Sequence, residues 1–487
     1  MPLVEQGGTR AGSSGVHRRR DVVTQSATAA RLRRVAVVSR DKVLRRFWVS
    51  QMVSEMGDWI GLLGIAALLY ERTGLAIAAS ASLAALYLPY LFAPWLVGWA
   101  SKIPARTLLI GADFIRAGLI VLLLVPMPAW ALLGLVFLAS VPTSIYEATR
   151  AAAVPEYAPD DATREDALVL FQSTQQAASM LGFLAGGAAL ALIGFDAAIA
   201  LNSLSFLVSG LLLLGVPKLE AFVDATETVR GVLRHGIAAL LRRPLLRRAV
   251  LLSVISASTI MAGEALVVVY ASADGFKHPG FAGPFAALMA FVAALLGLVL
   301  PRHRSSAELL RVSAAVMIFG GVIAVAAFLL PPGLLAGLGG YIGLGVISAP
   351  GALTYVVAIR EMTPAIRAPV FSIVQVAMMG GQALVAVLAG SLADLTSVGV
   401  SVAVWQLPTI AFSVWVLTLT LTVMAKHGEG RVPPRAGGHD ADDARATPGR
   451  DEQQPEAPDR PARSPSSTPA ASPAPGAPDR SELPTSN

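Results

Sequence analysis

Residues 45–74 read RRFWVSQMVSEMGDWIGLLGIAALLYERTG. Two arginines precede a mostly apolar run over 47–69, and Glu71 and Arg72 follow it. A helix that crosses a bilayer needs about 20 consecutive, mostly apolar residues. The run is longer than the apolar part of a usual secretory signal, and no small-residue cleavage site follows it. The segment therefore predicts a membrane-spanning helix.

Eleven more stretches of this kind follow along the chain. We therefore predict an all-α polytopic membrane protein with twelve transmembrane helices, arranged as two pseudo-symmetric six-helix halves. The predicted spans are 47–69, 76–98, 107–126, 129–149, 167–192, 197–217, 249–271, 283–301, 307–329, 334–358, 369–393 and 401–425.

Lysine and arginine residues are distributed unevenly around these spans. If the N terminus lies inside, 36 of the 38 basic residues fall on the inner side. Positive charge accumulates in cytoplasmic loops. We therefore predict that the protein lies in the bacterial plasma (inner) membrane and that both termini are cytoplasmic.

Composition and charge divide the chain into five parts. Residues 1–46 form a basic arm with a net charge of +8, and residues 426–487 form a proline-rich cytoplasmic tail. Both have too little apolar surface to fold alone, so we predict that the tail and most of the arm are disordered. Between them lie a six-helix half (47–217), a cytoplasmic linker loop (218–248) and a second six-helix half (249–425).

The two halves repeat a short pattern after their fourth helices. Each has an arginine, then a proline, then a glutamine-bearing helix with a glycine pair; the arginines are Arg150 and Arg360 and the prolines Pro155 and Pro364. Six-plus-six repeats are typical of secondary transporters in which one half rocks against the other.

Composition excludes several other classes of protein. With 54% hydrophobic and 14% charged residues, the chain is not a water-soluble enzyme. It has no cysteine, so it has neither disulfides nor a thiol nucleophile. All six histidines lie outside the predicted spans, and no phosphate-binding loop is present. The basic arm flanks a membrane helix, which indicates anionic lipid rather than nucleic acid as its partner. We expect no enzyme activity, no cofactor and no metal.

Residues 45–74 resemble the first helix of major facilitator superfamily transporters. Residues 96–117, LVGWASKIPARTLLIGADFIRA, resemble the signature loop between the second and third helices of the drug:proton antiporter branch, which includes enterobactin-exporter-like proteins. The resemblance covers residues 44–425 and neither tail. It implies the twelve-helix fold and transport by alternating access.

In that family the signature loop forms a charged latch against the other half of the protein. The positions that match here, and that the resemblance assigns to gating, are Lys102, Arg106, Asp113 and Arg116. Three positions differ from the family pattern: Val97 replaces a glycine, Ser101 an aspartate and Ala105 an arginine. Serine supplies no negative charge, which puts the usual latch in doubt. The alternative is that Lys102 and Arg106 only set the topology.

Three acidic residues are candidates for proton coupling: Glu55, Asp58 and Glu264. Glu55 and Asp58 share one face of the first helix with Gln51. At ~1.5 Å per residue, Asp58 lies near the middle of the bilayer. Carboxylates at that depth usually face a cavity, a partner or the bundle interior. The alternatives are structural hydrogen bonds for Glu55 and Asp58, and a charge at the outer rim or an interhelix bond for Glu264.

Further polar and aromatic residues are candidates for the substrate cavity. Amides at helical spacing bind substrate, or they hydrogen-bond one helix to another. The candidates are Gln51, Tyr87, Glu147, Gln172, Gln175, Gln176, Gln375 and Gln382.

Residues 182–187, GFLAGG, resemble the antiporter signature on the fifth helix, with Phe183 in place of a proline. Small residues at the positions of Gly182, Gly186 and Gly187 let two helices approach closely. The match favours export over import. The alternative is generic small-residue packing.

These residues and the resemblance predict a proton-coupled exporter of a small amphipathic compound, such as a drug, an antibiotic or a siderophore. Its partners would be this substrate, protons and the lipid bilayer, and we expect a monomer. The alternatives are an importer or a lipid transporter of the same fold, and a transport-inactive membrane scaffold or sensor.

Overall fold

The computed structural model describes residues 40–92, 95–96, 103–156, 161–217, 229–273, 276, 278–301 and 304–428. The predictions for most of the N-terminal arm, for the tail beyond 428 and for Val97, Ser101 and Lys102 lie outside these residues. Side chains are likewise described for only part of the helices that flank the gaps, and the side chain of Gln172 is outside the description.

All regular structure in the described residues is helical. The first half contains α1 (Lys42–Thr73), α2 (Ala76–Tyr87), α3 (Ala105–Val121), α4 (Ala129–Glu156), α5 (Asp161–Leu192) and α6 (Gly194–Leu213). The remainder contains α7 (Val229–Arg242), α8 (Pro244–Ala265), α9 (Val267–Ser272), α10 (Ala282–Val299), α11 (Ser306–Phe328), α12 (Leu334–Ser348), α13 (Gly351–Glu361), α14 (Pro364–Leu395) and α15 (Val398–Gly428). Short 3₁₀ segments follow α2 and α3 and precede α10.

Within the described residues, eleven helical segments are long and apolar enough to cross a membrane. Two of them join neighbouring helices, α8 with α9 and α12 with α13. The predicted span at 76–98 is a shorter apolar helix over Ala76–Phe92. The prediction of an all-α polytopic membrane fold is confirmed. The linker predicted as a loop contains helix α7, and α8 already begins at Pro244.

Small residues let the helices approach closely inside each half. In the first half, a side chain added at Gly57 or Gly61 of α1 would overlap Ser205 or Asn202 of α6. In the second half, a Cβ at Gly343 of α12 would lie 2.6 Å from the backbone nitrogen of Ala324 in α11. Apolar helices surrounded by lipid gain stability chiefly from this kind of packing.

The two halves meet along α2 with α14 and along α5 with α10. We call the end of the bundle that carries the turn between α1 and α2 the outer end, after the orientation expected from the basic residues. Near this end, a Cβ at Gly187 of α5 would lie 2.7 Å from Cα of Gly283 in α10. Gly182 and Gly186 instead face Met56, Trp59 and Ile60 of α1.

Helix α7 is attached to the second half. A Cβ at Gly236 would lie 2.8 Å from the carbonyl oxygen of Pro369, near the start of α14. Leu240 packs in the same apolar cluster as Val370. Helix α7, which lies between the halves in the chain, therefore packs on α14, and α14 also contacts α2 of the first half.

The close contact of α11 and α12 predicts that the same substitution destabilises the protein at one glycine and not at another. Gly343→Ala forces two backbones apart and should lower the free energy of unfolding by about 1 to 3 kcal/mol. Gly118→Ala is the control, because a Cβ at Gly118 meets nothing within 4 Å. It should leave stability unchanged or raise it by up to about 1 kcal/mol. Thermal unfolding followed by tryptophan fluorescence measures both, and equal midpoints would contradict the packing described here.

Candidate functional site

A cavity of about 270 Å³ lies between the two halves. Helices α1, α2, α4 and α5 line it from the first half, and α14 lines it from the second. Six of the residues predicted from the sequence are in its wall: Glu55, Asp58, Tyr87, Glu147, Gln175 and Gln375. The other lining residues are Trp59, Leu62, Leu86, Tyr90, Thr143 and Met379.

Helix α1 places Glu55 and Trp59 one turn apart on the cavity side, because residues four apart share a helix face. The indole Nε1 of Trp59 donates a hydrogen bond of 3.1 Å to Glu55 Oε1. The Trp59 ring packs on Phe183 of α5 at a centroid distance of 4.6 Å. Glu55 makes no ion pair with any described residue. The cavity therefore contains an acid whose position is set by an aromatic ring and that has no ion-pair partner in the part of the chain that the structure describes.

Asp58 is bound to Arg116 of α3. One guanidinium nitrogen donates to both Asp58 oxygens, at 2.7 and 2.9 Å. The Arg116 side chain is 2% exposed, and that of Asp58 is 35% exposed. Asp58 also borders a second cavity of about 50 Å³ in the first half. Its carboxylate thus faces open space on one side and a buried base on the other.

Arg116 also contacts Asp113, which lies one turn earlier on α3, at 3.4 Å. The Asp113 side chain is fully buried, and its second oxygen accepts a 2.6 Å hydrogen bond from Ser209 of α6. Ser209 is 2.7 Å from Ser50 of α1. This buried network joins three helices of one half.

The Arg116 guanidinium lies 3.7 Å from the centre of the Phe206 ring and 5.6 Å from that of Tyr146. Both distances are within the range of cation–π attraction. The sequence assigned Asp113 and Arg116 to gating. The structure places both in the body of α3, where they contact helices of their own half.

The other gating residue with a described side chain is Arg106, at the start of α3. It donates a 2.6 Å hydrogen bond to the carbonyl oxygen of Leu214, just beyond the end of α6. Ala105 is buried. Arg106 therefore ties α3 to the end of α6 within the first half.

Glu147 forms an ion pair with Arg150, three residues later on α4.

Glu264 lies elsewhere, half-buried near the end of α8 and outside the cavity wall. It is close enough to Tyr87 and Tyr341 for electrostatic interaction. Glu264 makes no hydrogen bond or ion pair that the described residues reveal. Tyr87, which interacts with this acid, also lines the cavity.

Three amides predicted for the cavity lie outside its wall. Gln51 is 2% exposed and both polar atoms of its amide lack a hydrogen-bond partner among the described residues. Gln176 is exposed, and the buried amide oxygen of Gln382 is also without a described partner.

Trp59 was missed as a cavity residue, although its position four residues after Glu55 carried the signal. Among the described residues, no cluster of acids and histidines suits a metal ion.

Two helical halves around a shared cavity define a secondary transporter rather than an enzyme. The sequence agrees with this class. Residues 47–359, more than half of the chain, match the Major Facilitator Superfamily. The chain therefore belongs to this superfamily and is a multi-pass membrane transporter. No curated protein matches it.

Solved transporters share the fold at low sequence identity. The nucleoside transporter NupG is 16% identical, with a TM-score of 0.59, over 80% of this chain and 99% of that chain. A bacterial homologue of the human lysosomal transporter Spinster, inward-facing and occupied, is 13% identical, with a TM-score of 0.60 over 81% and 99% of the two chains. A POT family transporter in complex with 5-aminolevulinic acid is 10% identical, with a TM-score of 0.60 over 78% and 96%. These likenesses establish the fold alone.

The buried network predicts a large loss of stability in Arg116→Met. Removal of the base leaves two carboxylates unpaired, and breaking a buried ion pair costs about 3 to 5 kcal/mol. Arg72→Met is the control, because Arg72 is exposed and, within the described residues, donates only to the carbonyl oxygen of Met127. Thermal unfolding in detergent measures both variants.

The triple variant Arg116→Met, Asp58→Asn, Asp113→Asn separates charge balance from side-chain volume. It removes all three charges together and should regain much of the stability lost in Arg116→Met. If Arg116→Met and Arg72→Met unfold at the same temperature, the network does not hold the first half together.

Proposed function

We propose that the protein exports a small amphipathic cation across the bacterial plasma membrane in exchange for protons, with both termini in the cytoplasm. The observation that carries this proposal is Glu55, an acid in the wall of a cavity shared by both halves that has no ion-pair partner among the described residues. The direction of transport follows from the resemblance to drug:proton antiporters and from the glycines of α5. We take the working unit to be a monomer.

The chemistry of the cavity wall favours a cation with an apolar body. Among the described residues of the wall, the acids are Glu55, Asp58 and Glu147, and none is basic. Asp58 and Glu147 have their own basic partners. The net charge offered to a ligand is therefore the single negative charge of Glu55.

Aromatic rings surround this charge. Trp59, Tyr87 and Tyr90 line the cavity beside Glu55, and Met379 lies in the wall supplied by α14. Aromatic faces attract organic cations, by about 0.5 to 2 kcal/mol each. The amides of Gln175 and Gln375 supply hydrogen bonds from opposite halves. An amphipathic drug or antibiotic with one positive charge fits this wall better than an anionic compound does.

Coupling follows if substrate and proton compete for the same carboxylate. Ionised Glu55 attracts the cation, and protonated Glu55 does not. Protonation from outside releases the substrate there, and deprotonation to the inside restores the site. Asp58 is less suited to this role because its carboxylate is already bound to Arg116 through two hydrogen bonds. Glu264 lies outside the cavity wall and is a second candidate acid for binding a proton that enters from the outer side.

Glu55→Gln should abolish transport driven by a pH gradient. The amide has nearly the same size and can still accept a hydrogen bond from Trp59, but it does not exchange a proton. The assay is uptake of a fluorescent amphipathic cation by everted vesicles under an imposed pH gradient. Glu71→Gln is the matched control, since Glu71 is an exposed acid on the same helix.

Asp58→Asn and Glu264→Gln belong in the same experiment. If one of these variants loses gradient-driven uptake and Glu55→Gln keeps it, the coupling acid is a different residue. If the wild-type protein accumulates the dye only in right-side-out vesicles, the transporter is an importer. If well-expressed wild type moves no cation at all, the proposed substrate class is wrong.

Trp59→Leu should weaken binding of the same dye about tenfold, which corresponds to about 1.4 kcal/mol. The change removes one cation–π contact and the hydrogen bond that orients Glu55. Trp130→Leu is the control, because Trp130 is 77% exposed at the start of α4. Dye binding followed by fluorescence anisotropy in detergent gives the dissociation constants. Equal constants for both variants would exclude Trp59 from the substrate site.

A further inference from the structure

Helix α2 begins at the outer end with its backbone donors bound to the other half. The N–H groups of Ala76 and Ile77 donate to the two carboxylate oxygens of Asp394, at 2.6 and 2.9 Å. Asp394 lies next to the last residue of α14, and more than 300 residues separate the partners in the chain. One carboxylate therefore caps a helix that belongs to the opposite half of the transporter.

Helix α2 has no cap of its own. Its N-cap residue is Leu75, whose side chain makes no capping hydrogen bond. The first N–H groups of any helix lack partners within the helix, and the helix dipole places partial positive charge there. A carboxylate satisfies both needs. Asp394 thus supplies the capping hydrogen-bond acceptor that the local sequence of α2 lacks.

The backbone approach that this contact requires depends on Gly390, one turn before Asp394. A Cβ at Gly390 would lie 2.7 Å from Cα of Ile77 and would overlap the hydroxyl of Ser80. The absence of a side chain lets α14 lie directly against the first turn of α2. The glycine and the aspartate share one face of α14, so the two features act at the same contact.

We propose that Asp394 is a positioning residue for the transport cycle: its carboxylate holds the outer end closed by capping α2 across the two halves. The outer end must open for exchange with the outside, and α2 and α14 must then separate at Ala76. The second outer contact, between Gly187 and Gly283, brings backbone against backbone. Asp394 therefore sets how far the equilibrium favours the state that is closed outside.

The experiment measures the width of the outer end directly. The natural chain has no cysteine, so pairs of spin labels can be placed without other changes. Trp130 and Leu335 suit this purpose because they are 77% and 85% exposed at the outer starts of α4 and α12, one in each half. Double electron–electron resonance on the labelled Trp130→Cys, Leu335→Cys protein, reconstituted in nanodiscs, gives the distance distribution.

Asp394→Ala should increase the ratio of long to short distances about tenfold, in line with the loss of a helix cap. Asp394→Asn keeps an acceptor without the charge and should lie between Asp394→Ala and the wild type. Asp196→Asn is the matched control: Asp196 is an exposed acid in the first turn of α6, also at the outer end, and it has no hydrogen bond to another described residue. It should leave the distribution unchanged.

Gly390→Leu serves as an independent wedge at the same contact and should also favour the long distance. If Gly390→Leu opens the outer end while Asp394→Ala matches the wild type, the proposal is overturned. An equal effect of Asp196→Asn and Asp394→Asn would also overturn it, because the cause would then be surface charge. The readout is a distance, so the result does not depend on whether the transported compound is a cation or the driving ion a proton.

Discussion

A base buried in the first half determines how that half is built. Arg116 bonds Asp58 of α1 and Asp113 of its own helix, and Asp113 in turn accepts a hydrogen bond from α6. In a membrane an isolated charge at this depth is expensive, so the three groups are stable only together. The cluster fixes the rotation of α1 about its axis. That rotation directs Glu55 and Trp59 into the cavity.

The two acids on α1 therefore have different surroundings although they lie one turn apart. Asp58 is bound to Arg116 and so joins α1 to α3, whereas Glu55 accepts a hydrogen bond from Trp59 and faces the cavity. In the proposed exchange of substrate for protons, Glu55 changes its charge during the cycle and the pair of Asp58 and Arg116 does not. Separation of the two by a single turn of helix lets the fixed pair position the variable one.

Hydropathy and charge predict the helical segments and the two halves, because the bilayer imposes length and polarity on every span. The same rules place Glu55, Tyr87 and Gln175 on faces that turn out to line the cavity. They do not distinguish a cavity from a packed interface, and Gln51 lies buried outside the described cavity wall. Nor do they pair Asp58 with Arg116, since contacts between distant helices leave no local pattern. The cap from Asp394 to α2 is hidden for the same reason.

Helix α14 touches three different parts of the transporter. Its first turns pack on α7 at Pro369, and its middle supplies Gln375 to the cavity. Its last turn caps α2 through Asp394. A continuous helix of 32 residues transmits displacement along its axis. Helix α7, in the segment that connects the halves, therefore packs on the same helix that caps α2 at the outer end. A molecule that binds α7 would therefore slow the transport cycle without entering the cavity.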